Sequence, residues 1–89
     1  MLKITKTETN GSRVLLKLEG KITAQWAALL DQECRGALRR RRAVELDCAG
    51  VDFLDESGVA VLRRLSRKRV TLMNVSGYLT ELLQSGGRS

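Results

Sequence analysis

Residues 44–62 read VELDCAGVDFLDESGVAVL, and this stretch decides the fold. Its first part alternates, because Val44, Leu46 and Cys48 are separated by Glu45 and Asp47. A period of two predicts a strand with one buried face and one wetter face. The residues that follow lead from this strand into a helix, so the stretch contains one strand-to-helix transition.

Within residues 52–58, the two carboxylates of Asp55 and Glu56 and the serine Ser57 lie at the start of that helix. A helix N-terminus presents unpaired N–H groups and a partial positive charge, so backbone donors would receive a phosphate on Ser57. Ser57 is therefore a candidate phosphoacceptor. A plainer interpretation is that Asp55 is the N-cap of the helix, with Ser57 and Gly58 filling its first turn.

The residues before this stretch predict a hairpin and a helix. Leu2 and Ile4 begin a strand, and Asn10-Gly11 is a dipeptide typical of tight hairpin turns. The second strand has its apolar positions at Val14, Leu16 and Leu18. The helix N-cap is expected at Thr23. Spacings of three and four place one apolar stripe at Ile22, Trp26, Leu29, Leu30, Cys34, Ala37 and Leu38.

The residues after residue 58 complete the predicted order β-β-α-β-α-β-α. The inner stripe of the second helix is expected at Val61, Leu62 and Leu65, and the last strand at Val70, Leu72 and Met73. A third helix, capped by Ser76 and ended by Gly86-Gly87, carries Leu79, Leu82 and Leu83. We expect an α/β fold, with one mixed four-stranded sheet and helices mainly on one face. Both β-α-β crossovers should be parallel and right-handed, in a single domain spanning residues 1–89.

The composition argues against catalysis. The 89 residues include no histidine and two cysteines, which excludes a Ser-His-Asp triad, a Cys-His pair and His-ligated zinc. Asp47, Asp52 and Asp55 could in principle hold Mg²⁺, but no phosphate-binding loop supplies a nucleotide partner. Ser57 lacks the GxSxG elbow of a hydrolase nucleophile. We therefore expect no enzymatic activity, no cofactor, no metal and no small-molecule substrate.

Cys34 and Cys48 are expected to be small buried hydrophobes, because two isolated thiols form neither a zinc quartet nor a CxxC pair. Residues 1–6 lack the apolar core of a signal peptide, and no run of about 18 apolar residues could span a membrane. The sequence therefore predicts a cytoplasmic protein.

The net charge of +6 is concentrated in two windows. One contains Arg35 and residues 39–42, and the other contains Arg63, Arg64 and residues 67–69. Both windows fall where helices should end, and cations there oppose the negative end of the helix dipole. The alternative is that they bind a nucleic-acid backbone or an anionic lipid surface.

The stretch at residues 44–62 resembles the signature of STAS domains, the sulfate-transporter and anti-sigma-antagonist fold. In that family a hydrophobic strand is followed by a phenylalanine-centred turn and then by Asp-Ser-Ser-Gly opening a helix. The matching residues here are Phe53, Asp55, Glu56, Ser57 and Gly58. The resemblance extends over essentially the whole chain, including the β-β-α order, Gly20 and residues 70–76.

The resemblance implies regulation through binding. In bacterial anti-sigma antagonists an anti-sigma kinase phosphorylates the serine before the glycine, which is Ser57 here, and phosphorylation breaks the complex with the kinase. The expected partner-binding residues are Asp52, Asp55, Glu56, Gly58 and Thr23. Two departures from the family pattern are Gly20-Lys21-Ile22-Thr23 in place of Gly-Glu-Leu-Asp, and Glu56 in place of a serine. The alternative within the family is a non-phosphorylated STAS subunit that stabilises an ABC transporter ATPase.

Overall fold

The computed structural model of the protein describes residues 1–85, and its elements follow the predicted order β-β-α-β-α-β-α. Their bounds are β1 Leu2–Asn10, β2 Arg13–Ile22, α1 Ala24–Arg39, β3 Ala43–Leu54, α2 Glu56–Leu65, β4 Val70–Met73 and α3 Gly77–Ser85. The expected end of α3 at Gly86-Gly87 lies outside the described residues.

The four strands form one mixed sheet in the order β1-β2-β3-β4. The β1–β2 pair is antiparallel, and the hairpin turn lies at Gly11 and Ser12, one residue later than the dipeptide suggested. The β2–β3 and β3–β4 pairs are parallel, with α1 and α2 as the crossovers. The predicted mixed sheet is therefore confirmed.

The helices cover one face of this sheet. The strand register places Val14 beside Val44 and Leu16 beside Leu46, and all four side chains are buried. The residues between them, such as Lys17, point to the other face. Alternation in the sequence therefore identified the core face of β2 and β3 correctly.

β3 is longer than the alternation predicted, because it continues past Cys48 to Leu54. Its pairing with β2 shifts register after residue 47 and resumes with Glu19 opposite Gly50. A β-carbon at Gly50 would lie 2.9 Å from the carbonyl oxygen of Leu18, so only glycine allows the two backbones to approach this closely. The segment expected to be a turn is therefore paired strand.

The apolar stripe of α1 also differs from the prediction. Its buried residues are Ala27, Leu30, Cys34 and Ala37, a narrow stripe with spacings of three and four. Leu29 is 38% exposed. It lies beside Leu2 and Ile4 of β1, which is the edge strand of the sheet formed by the described residues. Ile22 is buried as expected, but as the last residue of β2.

Both cysteines are buried in the core, as predicted. Burial raises the pKa of the Cys34 thiol to about 12, with a further contribution from the Asp31 carboxylate. Burial likewise raises the pKa of Cys48 to about 11, with Asp47 adding to the shift. Because the thiolate is the reactive form, both side chains act as small hydrophobes.

We predict that Leu46→Ala and Leu62→Ala each destabilise the protein by about 2 to 5 kcal/mol, because each removes a fully buried side chain and leaves a cavity. Chemical denaturation measures the change in the free energy of unfolding. Leu29→Ala is the matched control and should cost much less. A loss for Leu29→Ala as large as for Leu46→Ala would contradict the described packing.

Candidate functional site

Asp55 lies between the end of β3 and the start of α2, and its carboxylate binds two helices. One oxygen, Oδ1, accepts a hydrogen bond of 2.8 Å from the Gly58 N–H of α2. The other, Oδ2, accepts one of 3.0 Å from the Ala24 N–H at the start of α1. Both oxygens therefore satisfy backbone donors that a helix start leaves without partners. The predicted N-cap role of Asp55 is confirmed, and it extends to a second helix.

These bonds stabilise the ionised carboxylate. The hydrogen bond from the Gly58 N–H lowers the pKa of Asp55 below its usual range. Desolvation opposes this shift, and the N–H groups of Ala24 and Ser57 add to it. Asp55 therefore carries its negative charge at the positive ends of two helix dipoles.

Thr23 occupies the N-cap position of α1, as expected, but its side chain makes no capping hydrogen bond. The next residue, Ala24, has φ = 26°, a region that non-glycine residues seldom adopt and that costs of order 1–3 kcal/mol. The hydrogen bond from the Ala24 N–H to Asp55 holds this conformation. Asp55 therefore supplies the cap that the sequence assigned to Thr23.

Gly58 is buried against the end of β2. A β-carbon at this position would overlap the carbonyl oxygen of Ile22. The same carbonyl accepts a hydrogen bond from the Asp55 N–H, at 3.3 Å. The absence of a side chain therefore lets the first turn of α2 pack directly on the end of β2.

Ser57 and Glu56 lie in this first turn, and both are exposed. The Ser57 hydroxyl makes no hydrogen bond within residues 1–85. The backbone around Ser57 is fixed by the bonds of Asp55, whereas its hydroxyl faces solvent. The hydroxyl is therefore accessible from solvent on a turn of fixed backbone.

Lys21, Asp52 and Phe53 form a neighbouring surface that the sequence did not reveal. The Lys21 ammonium lies 3.4 Å from Asp52 Oδ1 and 5.9 Å from the centroid of the Phe53 ring. Lys21 and Phe53 are opposite each other in the β2–β3 register, a pairing that the sequence analysis missed by ending β3 too early. An exposed ion pair of this kind contributes about 0 to 1 kcal/mol, so it fixes charge placement more than stability.

The expected partner-binding residues are thus mostly brought together. Thr23, Glu56 and Gly58 surround Asp55, and Asp52 lies near the end of strand β3 beside Lys21. Asp47 lies elsewhere, where the Asn74 side chain and then the Ala49 N–H lower its pKa. Residues 1–85 contain no group of three or more cysteine or acidic side chains that could hold a metal ion.

The comparisons with known proteins agree with this architecture. The family described as "Mlab, STAS domain" matches residues 5–88, so the chain belongs to the STAS family. The solved structure of the anti-sigma factor antagonist SpoIIAA in its unphosphorylated form is similar in fold. It has a TM-score of 0.75 at 16% identity, over 92% of this chain and 82% of that chain.

A crystal structure of Mglu is also similar, with a TM-score of 0.60 at 26% identity. The likeness covers 78% of this chain but only 18% of that one. A search of curated protein sequences gave no match. No helix within residues 1–85 is long and apolar enough to cross a membrane.

We predict that Asp55→Ala destabilises the protein at neutral pH, because it leaves N–H groups of two helices without an acceptor. Since the folded-state pKa of Asp55 is lowered, its contribution is complete above the ordinary Asp pKa of about 3.9 and is lost as the pH falls through the lower folded value. The free energy difference between wild type and variant should therefore shrink below about pH 4. Thr23→Ala is the control, and it should change little at any pH.

We also predict that Gly58→Ala destabilises the protein, although alanine is the better helix former, because the new methyl group would displace the end of β2. Gly36→Ala is the matched control within α1. Apart from the adjacent helix backbone, no atom of the described residues lies within 4 Å of a β-carbon at Gly36, so this change should stabilise the protein by about 0.5 to 1 kcal/mol. Thermal denaturation compares the two variants, and equal shifts in melting temperature would refute the close packing of Gly58.

Proposed function

We propose that this chain is a regulatory STAS module that docks on an anti-sigma factor kinase and is released when Ser57 is phosphorylated. The docking face comprises Thr23, Asp52, Asp55, Glu56 and Ser57, and the buried Gly58 lies beneath them and supports the turn. The observation that carries the proposal is the exposed Ser57 hydroxyl, held on a fixed first turn of α2 and without a hydrogen bond in the described part of the chain. The fold of the antagonist SpoIIAA supports it.

Presentation of Ser57 depends on Asp55. Because Asp55 binds the Gly58 N–H, the turn carrying Ser57 has one conformation before a partner arrives. A partner then pays less conformational entropy to bind this turn. The same rigidity holds the hydroxyl where the γ-phosphate of a bound kinase nucleotide can reach it.

Release of the partner follows from the negative charge of the phosphate on Ser57. A phosphate adds about −1.5 to −2 charges beside the carboxylates of Asp55 and Glu56. Docking would then bury a cluster of like charges. The free energy needed to desolvate this cluster exceeds the free energy gained from the contacts with the partner. Lys21 offsets this only weakly, because its ammonium is already engaged in an exposed ion pair with Asp52.

The second candidate is that the same face docks permanently on an ABC transporter ATPase. Glu56 favours this alternative, because an exposed carboxylate already precedes the acceptor serine and gives the unmodified face a fixed charge. Such a subunit would need no switch. We expect neither candidate to have enzymatic turnover, since both act by binding.

We predict that incubation with ATP and the kinase encoded beside its gene modifies the wild-type protein at Ser57 and leaves Ser57→Ala unmodified. Mass spectrometry locates the phosphate. Ser57→Ala should bind the kinase as wild type does, and Ser57→Asp should bind about tenfold more weakly because of like-charge repulsion. Thr80→Asp adds the same charge on an exposed position of α3 and is the control.

Two results would decide against the switch. If Ser57 stays unmodified, and if Ser57→Asp binds as tightly as Thr80→Asp, phosphorylation does not regulate this face. Binding of a purified transporter ATPase by wild type and Ser57→Asp alike would then support the permanent docking subunit.

A further inference from the structure

The end of the molecule opposite the docking face carries a separate cluster of charges. β3 runs from Ala43 to Leu54 along a molecule whose longest extent is 37 Å, so its first and last residues lie near opposite ends. Asp55 binds the N-termini of both α1 and α2, so both helices run away from the docking face. Their C-termini lie together at the far end.

Backbone hydrogen bonds join the loops at that end. The Val44 N–H donates to the Arg69 carbonyl, which brings the start of β3 against the α2–β4 loop. The Ala43 N–H donates to the Ser12 carbonyl of the hairpin turn. The two basic windows of the sequence, some 25 residues apart, therefore form one surface, here called the basic end: Arg39, Arg40, Arg41, Arg67, Lys68 and Arg69.

Among the described residues, no carboxylate pairs with the cations of the basic end. Within residues 1–85 no ion pair involves its six side chains, and all six residues are exposed. By contrast, Arg35 and Arg64 both pair with Asp31, and Arg42 pairs with Glu8. A groove lined by Arg35, Leu38, Arg39 and Lys68 connects the two halves of the cluster.

The helix dipole explains only a small part of this cluster. Arg39 lies in the last turn of α1, and the basic residues of the last turn of α2 are Arg63 and Arg64, outside the cluster. The C-caps are Arg40 for α1 and Ser66 for α2, so the cluster lies close to both helix C-termini. A helix dipole favours a nearby cation by a small amount, which does not account for six of them in one place. Six adjacent positive charges repel one another, so their grouping favours binding of an anionic surface.

We propose that the basic end binds the surface of an anionic lipid bilayer. Five of the six cations lie on two short loops at one end of an elongated molecule, and Arg39 ends α1 beside them. Laterally mobile anionic lipids can gather beneath such an end. Binders of single-stranded nucleic acid use grooves with aromatic stacking platforms, and binders of duplexes insert a helix or strand into a groove. The three aromatic residues are Trp26, Phe53 and Tyr78, none of them in the basic end, and α1 is packed on the sheet.

The proposed contact with the bilayer is electrostatic and involves no insertion of hydrophobic side chains. The exposed large hydrophobic residues are Met1, Leu29, Phe53 and Tyr78, and none belongs to the basic end. Each cation near an anionic bilayer contributes about 1 kcal/mol, or about fivefold in the partition coefficient. Raising the ionic strength from about 0.01 M to 0.1 M shortens the Debye length from about 30 Å to about 10 Å and should weaken binding steeply.

Bilayer binding would also orient the protein. Because the docking face lies at the opposite end, Ser57 would point away from the lipid surface and remain open to a partner. The proposal does not depend on phosphorylation of Ser57, since the basic end and the docking face share no residue.

The test is cosedimentation of the full chain with vesicles of phosphatidylcholine, with and without phosphatidylglycerol. The triple variant Arg40→Gln, Arg67→Gln, Lys68→Gln should bind the anionic vesicles about 100-fold more weakly than wild type. The triple variant Lys3→Gln, Lys6→Gln, Lys17→Gln removes the same charge from exposed positions on β1 and β2, and it should bind within about fivefold of wild type. This control distinguishes the effect of where the cations lie from the effect of the net charge of the protein.

Orientation gives a second readout. A polarity-sensitive fluorophore on Ser66→Cys, next to the basic end, should change its emission when anionic vesicles are added, whereas the same label on Ser57→Cys should not. Cys34 and Cys48 are buried, so each introduced cysteine is the accessible thiol. Equal binding by the two triple variants would overturn the proposal, as would binding to duplex DNA at a salt concentration where vesicles are not bound.

Discussion

The fold around the candidate site depends on one carboxylate that binds the start of two helices. Asp55 accepts from the N–H groups of Gly58 and Ala24 at 2.8 and 3.0 Å, and these two residues belong to helices separated by a complete strand. Few other groups could do this, because the acceptor must reach donors on both sides at once and must remain ionised. The lowered pKa of Asp55 shows that the donors stabilise its charge, with the Gly58 N–H contributing most. Since α1 and α2 are the crossovers of the sheet, this carboxylate fixes where both of them begin.

The two ends of the molecule carry different residues, with the turn at Asp55 at one end and the basic end at the other. Because β3 continues to Leu54 instead of stopping at Cys48, Asp55 and the turn after it are carried to one extremity of the molecule. Gly50 makes this possible by allowing close approach to the β2 backbone where the register shifts. The helices then return to the other extremity and leave their basic C-terminal residues there. The carboxylates of Asp52, Asp55 and Glu56 thus lie at one extremity, and the basic end lies at the other.

Local patterns predicted most of this architecture, and contacts distant in sequence account for the errors. The alternation of Val44 and Leu46 identified the core face of β3 because side-chain direction in a strand depends only on residue parity. The cap on α2 was also predictable, because it is a local contact between residues three positions apart, Asp55 and Gly58. Its second bond, to Ala24, spans 31 residues and has no local signal. Periodicity likewise could not show that Leu29 would be left exposed, because that depends on where the sheet ends.

In the proposed switch, modification of Ser57 changes the surface that binds a partner without changing the stability of the fold. The N-termini of α1 and α2 both meet at Asp55, so the partial positive charges of two helix dipoles lie close to this turn. They offset part of the charge that a phosphate would add, and the buried contacts of Gly58 lie beneath the turn and not beside the hydroxyl. Because the Ser57 hydroxyl makes no hydrogen bond in the described residues, modifying it breaks none of the bonds that hold the fold. A phosphate here would therefore leave the domain folded and change only the surface that a partner meets.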